Sequence, residues 1–274
     1  MVRFTREQVT PRISRIRGAG DVCMYFVEGS KRAALIDTGY GLGNLKAYLD
    51  SQTDKTYDVI LTHGHVDHAS GAGQFNRVYL NEADLETLRR HCGIEKRKEA
   101  LKTLSPEVFR TLTEEDFIPP KEDGFLPLGD GQLFDLGGVT LEAIHVPGHT
   151  RGTMVILIRE ERAVMFGDAC GVGVLLFLPE STNILEYHRS LLKLKRFEPQ
   201  YDKVLREHGA CESTKHVLED CIEICERILN GTDDAVPAEF MGETAYRAVK
   251  TDPRTGKRLD GREGNILYSK AKIR

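Results

Sequence analysis

The densest run of chemistry-bearing side chains in the 274-residue sequence is Thr62-His63-Gly64-His65-Val66-Asp67-His68. The chain holds nine histidines, and three of them fall within these seven residues. The run follows Val59-Ile60-Leu61, an all-apolar segment that reads as a strand buried on both faces. If the chain is still extended at His63 and His65, their i, i+2 spacing projects both rings to one side. Gly64 between them lets backbone approach with no side chain in the way. Asp67 and His68 come where the chain turns into a helix, so they point to a neighbouring position in space. Two imidazoles on one side, with a carboxylate and an imidazole on the other, suit two adjacent divalent cations. Imidazole and carboxylate together favour zinc, with iron or manganese as alternatives.

The remaining ligands must come from the ends of other strands, and three places fit. Val146-Pro147-Gly148-His149 follows one apolar run, Phe166-Gly167-Asp168 a second, and Glu207-His208-Gly209 a third. Each is an apolar strand, a turn, then a side chain able to hold a metal. Taken with Ala34-Leu35-Ile36-Asp37-Thr38-Gly39, these motifs come in an order that resembles the metallo-β-lactamase-fold hydrolase superfamily, over residues of about 9 to 210.

The resemblance implies an α/β fold, an αββα four-layer sandwich of two mixed sheets flanked by helices, with a two-metal site at one sheet edge. It implies one metal on His63, His65 and His149, a second on Asp67, His68 and His208, and Asp168 bridging both. Asp37 would lie outside the ligand set. A carboxylate there accepts the free N–H of a ligand histidine and fixes its tautomer. Asp67 doubles as a catalytic proton acceptor. The two carboxylates leave the metal core formally positive, which suits an anionic or carbonyl-bearing substrate. Two metals ~3.5–4 Å apart lower the pKa of a shared water towards neutrality, giving a nucleophile without a catalytic Ser or Cys. The expected activity is hydrolysis of a small ester, thioester or lactone. A phosphodiesterase or nuclease with the same two metals is the alternative, and a mononuclear iron persulfide dioxygenase is another.

Weaker signals surround this core. Arg151, just after His149, is a candidate for binding a substrate carboxylate or phosphate. Gly39-Tyr40-Gly41-Leu42-Gly43 lacks the G-x-G-x-x-G spacing and reads as a turn rather than a dinucleotide site.

The positioning elements follow from hydrophobic pattern. Short β-prone runs fill the first third, and strands return between Gly131 and Phe166, with Gly137-Gly138 as a hairpin turn. Between them, residues of about 81 to 118 read as a charged helical insert with capping signals at Asn81 and Ser105-Pro106, expected to wall or cover the metals. Ser181 or Thr182 is expected to cap a helix running to about Phe197, and Ser213 another ending at Gly231. Strands in two batches, each followed by helices, indicate one domain of stacked sheets spanning residues 1 to 274. Residues of about 232 to 274 read as a polar tail with a Pro-Arg-Thr-Gly turn and a strand at Asn265 to Tyr268, a solvated hairpin packed on the sheet edge. From Arg247 the tail carries nine Lys/Arg against three Asp/Glu. Only Tyr268 accompanies that charge, so nucleic acid is not an expected partner.

A 40% apolar, 29% charged composition excludes a disordered or fibrous chain, and a net charge of −4 excludes a globally basic nucleic-acid coat protein. No apolar run approaches the ~18 residues that cross a bilayer, and residues 1 to 8 show no apolar leader. Six scattered cysteines with no C-x-x-C indicate reduced thiols. The expectation is a cytoplasmic protein acting on a small molecule, of undefined oligomeric state.

Overall fold

The computed structural model describes residues 2 to 240 and 242 to 274. Seven strands form the first sheet in sequence order: β1 (Thr5–Gln8), β2 (Ile13–Arg17), β3 (Cys23–Glu28), β4 (Ala33–Ile36), β5 (Tyr57–Ile60), β6 (Val78–Leu80) and β7 (Leu126–Pro127). Pairing is antiparallel from β1 to β4 and parallel from β4 to β7, so the sheet is mixed. The second sheet is also mixed. It contains β8 (Leu133–Asp135), β9 (Thr140–His145), β10 (Met154–Ile158), β11 (Ala163–Met165), β13 (Lys203–Leu205) and β14 (Glu212–Ser213), in the order β14-β13-β11-β10-β9-β8.

Period-2 alternation sorts each strand between two cores. Cys23, Tyr25 and Val27 of β3 and Ala34 and Ile36 of β4 meet Met154, Ile156 and Ile158 of β10 between the sheets. Met24, Phe26, Ala33 and Leu35 face outward, onto Leu45 and Leu49 of α1 (Leu45–Asp50) and Leu88 of α3 (Leu85–His91). Val155, Leu157 and Val164 pack on the other side against α6 (Ile184–Lys195) and α7 (His216–Asn230). On α7 the buried residues Val217, Leu218, Cys221, Ile224, Cys225 and Ile228 form one helical stripe, and Gly231 closes the helix in a left-handed conformation. Helix, sheet, sheet, helix is thus a four-layer α/β sandwich.

The C-terminal region departs from expectation. Residues after 232 supply β15 (Val236–Phe240), β16 (Glu243–Arg247) and β17 (Ile266–Tyr268), and β17 pairs in parallel with β12 (Val174–Leu176) to make a third sheet. Ala248, Val249, Ile266 and Tyr268 join the core beneath α6 and α7. Burial of Ile266 alone is worth roughly 1.5–3 kcal/mol, so this region is part of the fold rather than a solvated tail.

Two caps also differ. Asn183, not Ser181 or Thr182, caps α6, accepting from the Glu186 amide at 2.8 Å. Ser181 is used elsewhere, its hydroxyl donating to the His149 carbonyl at 2.8 Å. Ser213 lies in β14, and Lys215 precedes α7 without a side-chain cap. In the insert, Asn81 accepts from the Ala83 amide, and Ser105 makes no capping bond before α5 (Pro106–Phe109).

Candidate metal centre

The parallel pairs β4–β5 and β11–β13 carry the loops that matter at their C-terminal ends, where 37–38, 61–68, 166–168 and 206–208 emerge. The loop after β9 emerges at the same edge, because two antiparallel steps through β10 restore its direction. Two backbone bonds join the sheets there, from the Met154 amide to the Thr62 carbonyl at 2.8 Å and from the Cys23 amide to the Glu207 carbonyl at 2.9 Å. His65 immediately precedes the four-residue α2 (Val66–Ala69), whose single turn carries Asp67 and His68. Gly64 is required by close approach: a Cβ there would lie 2.8 Å from the Asp84 carbonyl oxygen. Gly167 has φ +55, which turns the chain into Asp168 at no steric cost.

His63, His65, Asp67, His68, His149, Asp168 and His208 all converge at this edge. One potential ligand atom from each of His63, His65 and His149 lies within 4.8 Å of the others, and the same holds for Asp67, His68 and His208. Asp168 stands between the sets. Its Oδ2 is 3.4 Å from His149 Nε2 and 3.7 Å from His68 Nε2, and its Oδ1 is 3.6 Å from His208 Nε2.

The donor chemistry shows whether cations fit. His149 Nδ1 donates to the Leu175 carbonyl at 3.1 Å, which leaves a lone pair on Nε2. His68 Nδ1 donates to Asp37 Oδ2 at 2.7 Å, so its Nε2 is the nitrogen left to bind a cation once its proton is displaced. The Thr62 hydroxyl donates to Asp37 Oδ2 at 2.6 Å and accepts from His63 Nδ1 at 3.0 Å, so His63 also presents a lone pair on Nε2. That buried His63 Nε2 has no hydrogen-bond partner. His65 Nδ1 lies 2.9 Å from His149 Nε2, and His68 Nε2 lies 3.2 Å from His208 Nε2. Inward lone pairs at such distances repel unless a proton or a metal ion lies between them, so the residues present fit divalent cations.

Electrostatics divides the cluster. Burial, then the charge of neighbouring histidines, drives His63 well below its ordinary pKa, and burial takes His149 down to about 4. Burial opposes the charging of His68 and His208 too, but Asp67 and Asp168 outweigh it and raise them to about 9 and about 10. Burial likewise opposes ionisation of Asp67, and the adjacent His68 and His208 hold its carboxyl below the usual range.

Asp37 sits in the left-handed region, at φ 61, where a non-glycine residue is strained. Its carboxylate holds three donors, the Thr62 amide and hydroxyl and the His68 ring, which keep it there. Arg151 departs from expectation. Its guanidinium lies 3.5 Å from the carbonyls of Pro179 and Glu180, and it is not among the residues lining the cavity beside the cluster.

That cavity has a volume of about 780 Å³. His65, Asp67, His149, Asp168 and His208 lie in its wall. Arg90 and His91 of α3, with Lys96, Ala100 and Leu104 of α4 (Ile94–Leu104), form another part, so the insert does wall the site. Val172, Val174, Leu175 and Leu178 add an apolar stretch, and Phe240 of β15 extends it. Of five exposed large apolar side chains among the described residues, Leu104 and Val172 both face this one cavity.

Three contributors escaped the sequence reading. Asp84, fully buried, accepts from the amides of Gly64 and Gly152, both at 2.8 Å, and from the Thr150 hydroxyl at 2.7 Å. It thereby ties the loop of His63 and His65 to the loop of His149. Glu180 and His91 form the other pair, with Glu180 Oε1 at 2.9 Å from His65 Nε2 and 3.3 Å from His91 Nε2. None of the three stands in a local pattern that marks it; Asp84 reads only as an acidic residue near a helix start.

A sequence profile of the Metallo-beta-lactamase superfamily matches residues 17–201, about two thirds of the chain, and the protein belongs to that superfamily. Among its relatives is the human acyl-coenzyme A thioesterase MBLAC2, 31% identical over 176 residues that cover 58% of this chain and 62% of the relative. The atrochrysone carboxyl ACP thioesterase nsrC of Aspergillus novofumigatus is 27% identical, over 59% of this chain and 44% of its own length. The chain thus spans less than two thirds of either protein. The fold also matches an archaeal metallo-beta-lactamase superfamily protein from Sulfolobus tokodaii, at TM-score 0.55 and 20% identity, covering 78% of this chain and 86% of that one. The sec-alkylsulfatase Pisa1 from a Pseudomonas species matches at TM-score 0.61 and 16% identity, over 82% of this chain and 42% of its own. Among the described residues no helix is long and apolar enough to cross a membrane.

Proposed function

We propose that the protein is a dinuclear metal-dependent hydrolase of acyl thioesters with an apolar acyl group. The observation that carries this reading is the shared cavity: the histidine and aspartate cluster and the apolar wall from Val172 to Leu178 open into the same 780 Å³ space. Pockets of this size and lining bury small ligands well. The thioesterase names of the relatives point to the same substrate class.

In this reading His63, His65 and His149 would hold one ion and Asp67, His68 and His208 the other, with Asp168 available to either. Zinc suits the donors best. Ions bound there would supply Lewis acidity, for activating a water and for polarising the thioester carbonyl. The chain does the rest. Asp37 fixes the rings of His68 and, through Thr62, His63. The apolar wall receives the acyl chain and keeps bulk water from it. Asp67, whose Oδ2 lies 3.3 Å from His208 Nε2, accepts the proton of the attacking water. It returns that proton to the thiolate as the C–S bond breaks, so acid and thiol leave in balance. The free, buried cysteines fit a reducing compartment such as the cytoplasm.

The test is a panel of acyl-coenzyme A thioesters of graded length, a lactone, an aryl phosphodiester and a cephalosporin, run with zinc-replete and chelated protein. Thioester turnover that is lost on chelation and restored by zinc is expected. Turnover confined to the phosphodiester, weakening steeply with salt, would replace this reading with the nuclease alternative.

A further inference from the structure

Glu180 lies in the loop between β12 and α6 and is 3% exposed. Its carboxylate has three partners: His65 Nε2 at 2.9 Å from Oε1, His91 Nε2 at 3.3 Å from Oε1, and Arg90 Nη2 at 3.5 Å from Oε2. The backbone that carries it is fixed. The Thr182 amide donates to the Gly148 carbonyl at 2.9 Å, and Lys272 Nζ donates to the Ser181 carbonyl at 2.9 Å. Arg90 and His91 belong to α3, so one buried carboxylate joins the insert to the cluster.

His65 differs from the other inward-facing histidines. It turns Nδ1, not Nε2, towards His149. For Nδ1 to offer a lone pair, Nε2 must carry the proton, and a neutral imidazole permits either tautomer. A carboxylate has no proton to donate, so at Nε2 it selects the N–H form. A third cation on His65, His91 and Glu180, whose ligand atoms also lie within 4.8 Å, fits less well. The Arg90 guanidinium already neutralises Oε2, and His65 would have to give up both ring protons to serve two ions.

We propose that Glu180, steadied by Arg90 and His91, is a positioning residue that holds His65 in the Nε2–H tautomer and thereby makes α3 of the insert a determinant of metal affinity. The inference rests on the metal-ligand reading above. It adds that one of the two sites is tuned from outside the ligand set.

The experiment uses zinc alone, in competition with a chromophoric chelator, on the full chain. E180Q supplies an amide that can donate to Nε2 and so admits the wrong tautomer. It is expected to weaken one of the two zinc equivalents by ~10–100-fold and leave the other unchanged. The double variant R90M/H91A is expected to weaken the same equivalent by about 2–10-fold, within that bound. Long-range ¹H–¹⁵N spectra of the metal-free protein should show His65 as Nε2–H in the wild type and redistributed in E180Q. Two unchanged affinities and an unchanged His65 signal in folded E180Q would overturn the proposal. Should E180Q not fold, zinc affinities unchanged in R90M/H91A would overturn it instead. A wild-type protein that takes up no zinc would remove the site reading itself, a separate failure from a wild type with two zincs and an indifferent Glu180.

Discussion

The two ends of the cluster solve the same problem in opposite ways. His63, His65 and His149 are all imidazole and almost fully buried, and their outer nitrogens bond Thr62, Glu180 and Leu175. Asp67, His68 and His208 mix carboxylate with imidazole, and the side chain of His208 keeps 29% exposure. The first set is organised by buried rings held from behind, the second by opposite charges that attract one another. If the cluster holds two ions as proposed, its unequal halves would bind them unequally, and each expected outcome below bears on that inequality.

The largest effect is expected from ligand loss. His65→Ala should abolish thioester turnover, well beyond the ~100-fold that bounds losses outside the ligand set. His208→Ala should also be inactive but still retain one zinc on the all-imidazole set. Elemental analysis of both proteins checks this, and loss of all zinc from His208→Ala would make the two halves one cooperative unit. Asp37→Asn comes next. Because Asp37 holds His68 directly and His63 through Thr62, it should weaken both equivalents by about 10–100-fold, measured by chelator competition. An effect on one equivalent alone would confine Asp37 to His68.

Proton release sharpens the contrast. In the metal-free protein at pH 7.5, His68 and His208, raised to about 9 and about 10, carry protons, whereas His149, lowered to about 4, does not. Filling the mixed set should therefore expel about two protons, and filling the imidazole set at most the one shared between His65 Nδ1 and His149 Nε2. Calorimetry in buffers of different ionisation enthalpy reads this directly. Equal release from both would contradict the electrostatic division.

The smallest effect concerns Glu207. Its buried carboxyl, with neither oxygen hydrogen-bonded, is pushed well above its ordinary pKa by burial, then by Asp37 and Asp168. A group raised in this way stabilises the fold below the ordinary carboxylate range, and that contribution is lost as pH rises above it. Glu207→Gln does not titrate. Its Tm relative to wild type should therefore climb from pH 4 to pH 8, by about 2–4 °C for a change of ~1 kcal/mol in a chain this long. A constant difference across that range would show that Glu207 does not titrate differently on folding.

The same division explains what the sequence disclosed. The convergence of the candidate ligands was legible because their runs follow apolar strands, so strand, turn and donor are contiguous: Val59-Ile60-Leu61 before His63, Ala163 to Phe166 before Asp168. The sandwich was legible for a similar reason, since β3, β4 and β10 alternate or saturate with apolar residues. The supporting carboxylates Asp84 and Glu180 were not. Each acts across long stretches of chain, 66 residues from Asp84 to Thr150 and 115 from Glu180 to His65, and no local periodicity encodes such a contact. The third sheet escaped because β15 and β16 are polar and only half-buried. Ser181 misled because a residue that can cap a helix can equally bond a carbonyl across a loop.

The proposed function requires two ions held by these seven side chains for thioester hydrolysis. Stepwise zinc titration of chelator-stripped protein, with an acyl-coenzyme A hydrolysis rate read at every step, tests it most directly. Uptake of two equivalents in distinguishable steps is expected, with turnover appearing as the second fills. Hydrolysis at full rate in stripped protein, or zinc uptake that saturates while every thioester stays intact, would contradict it.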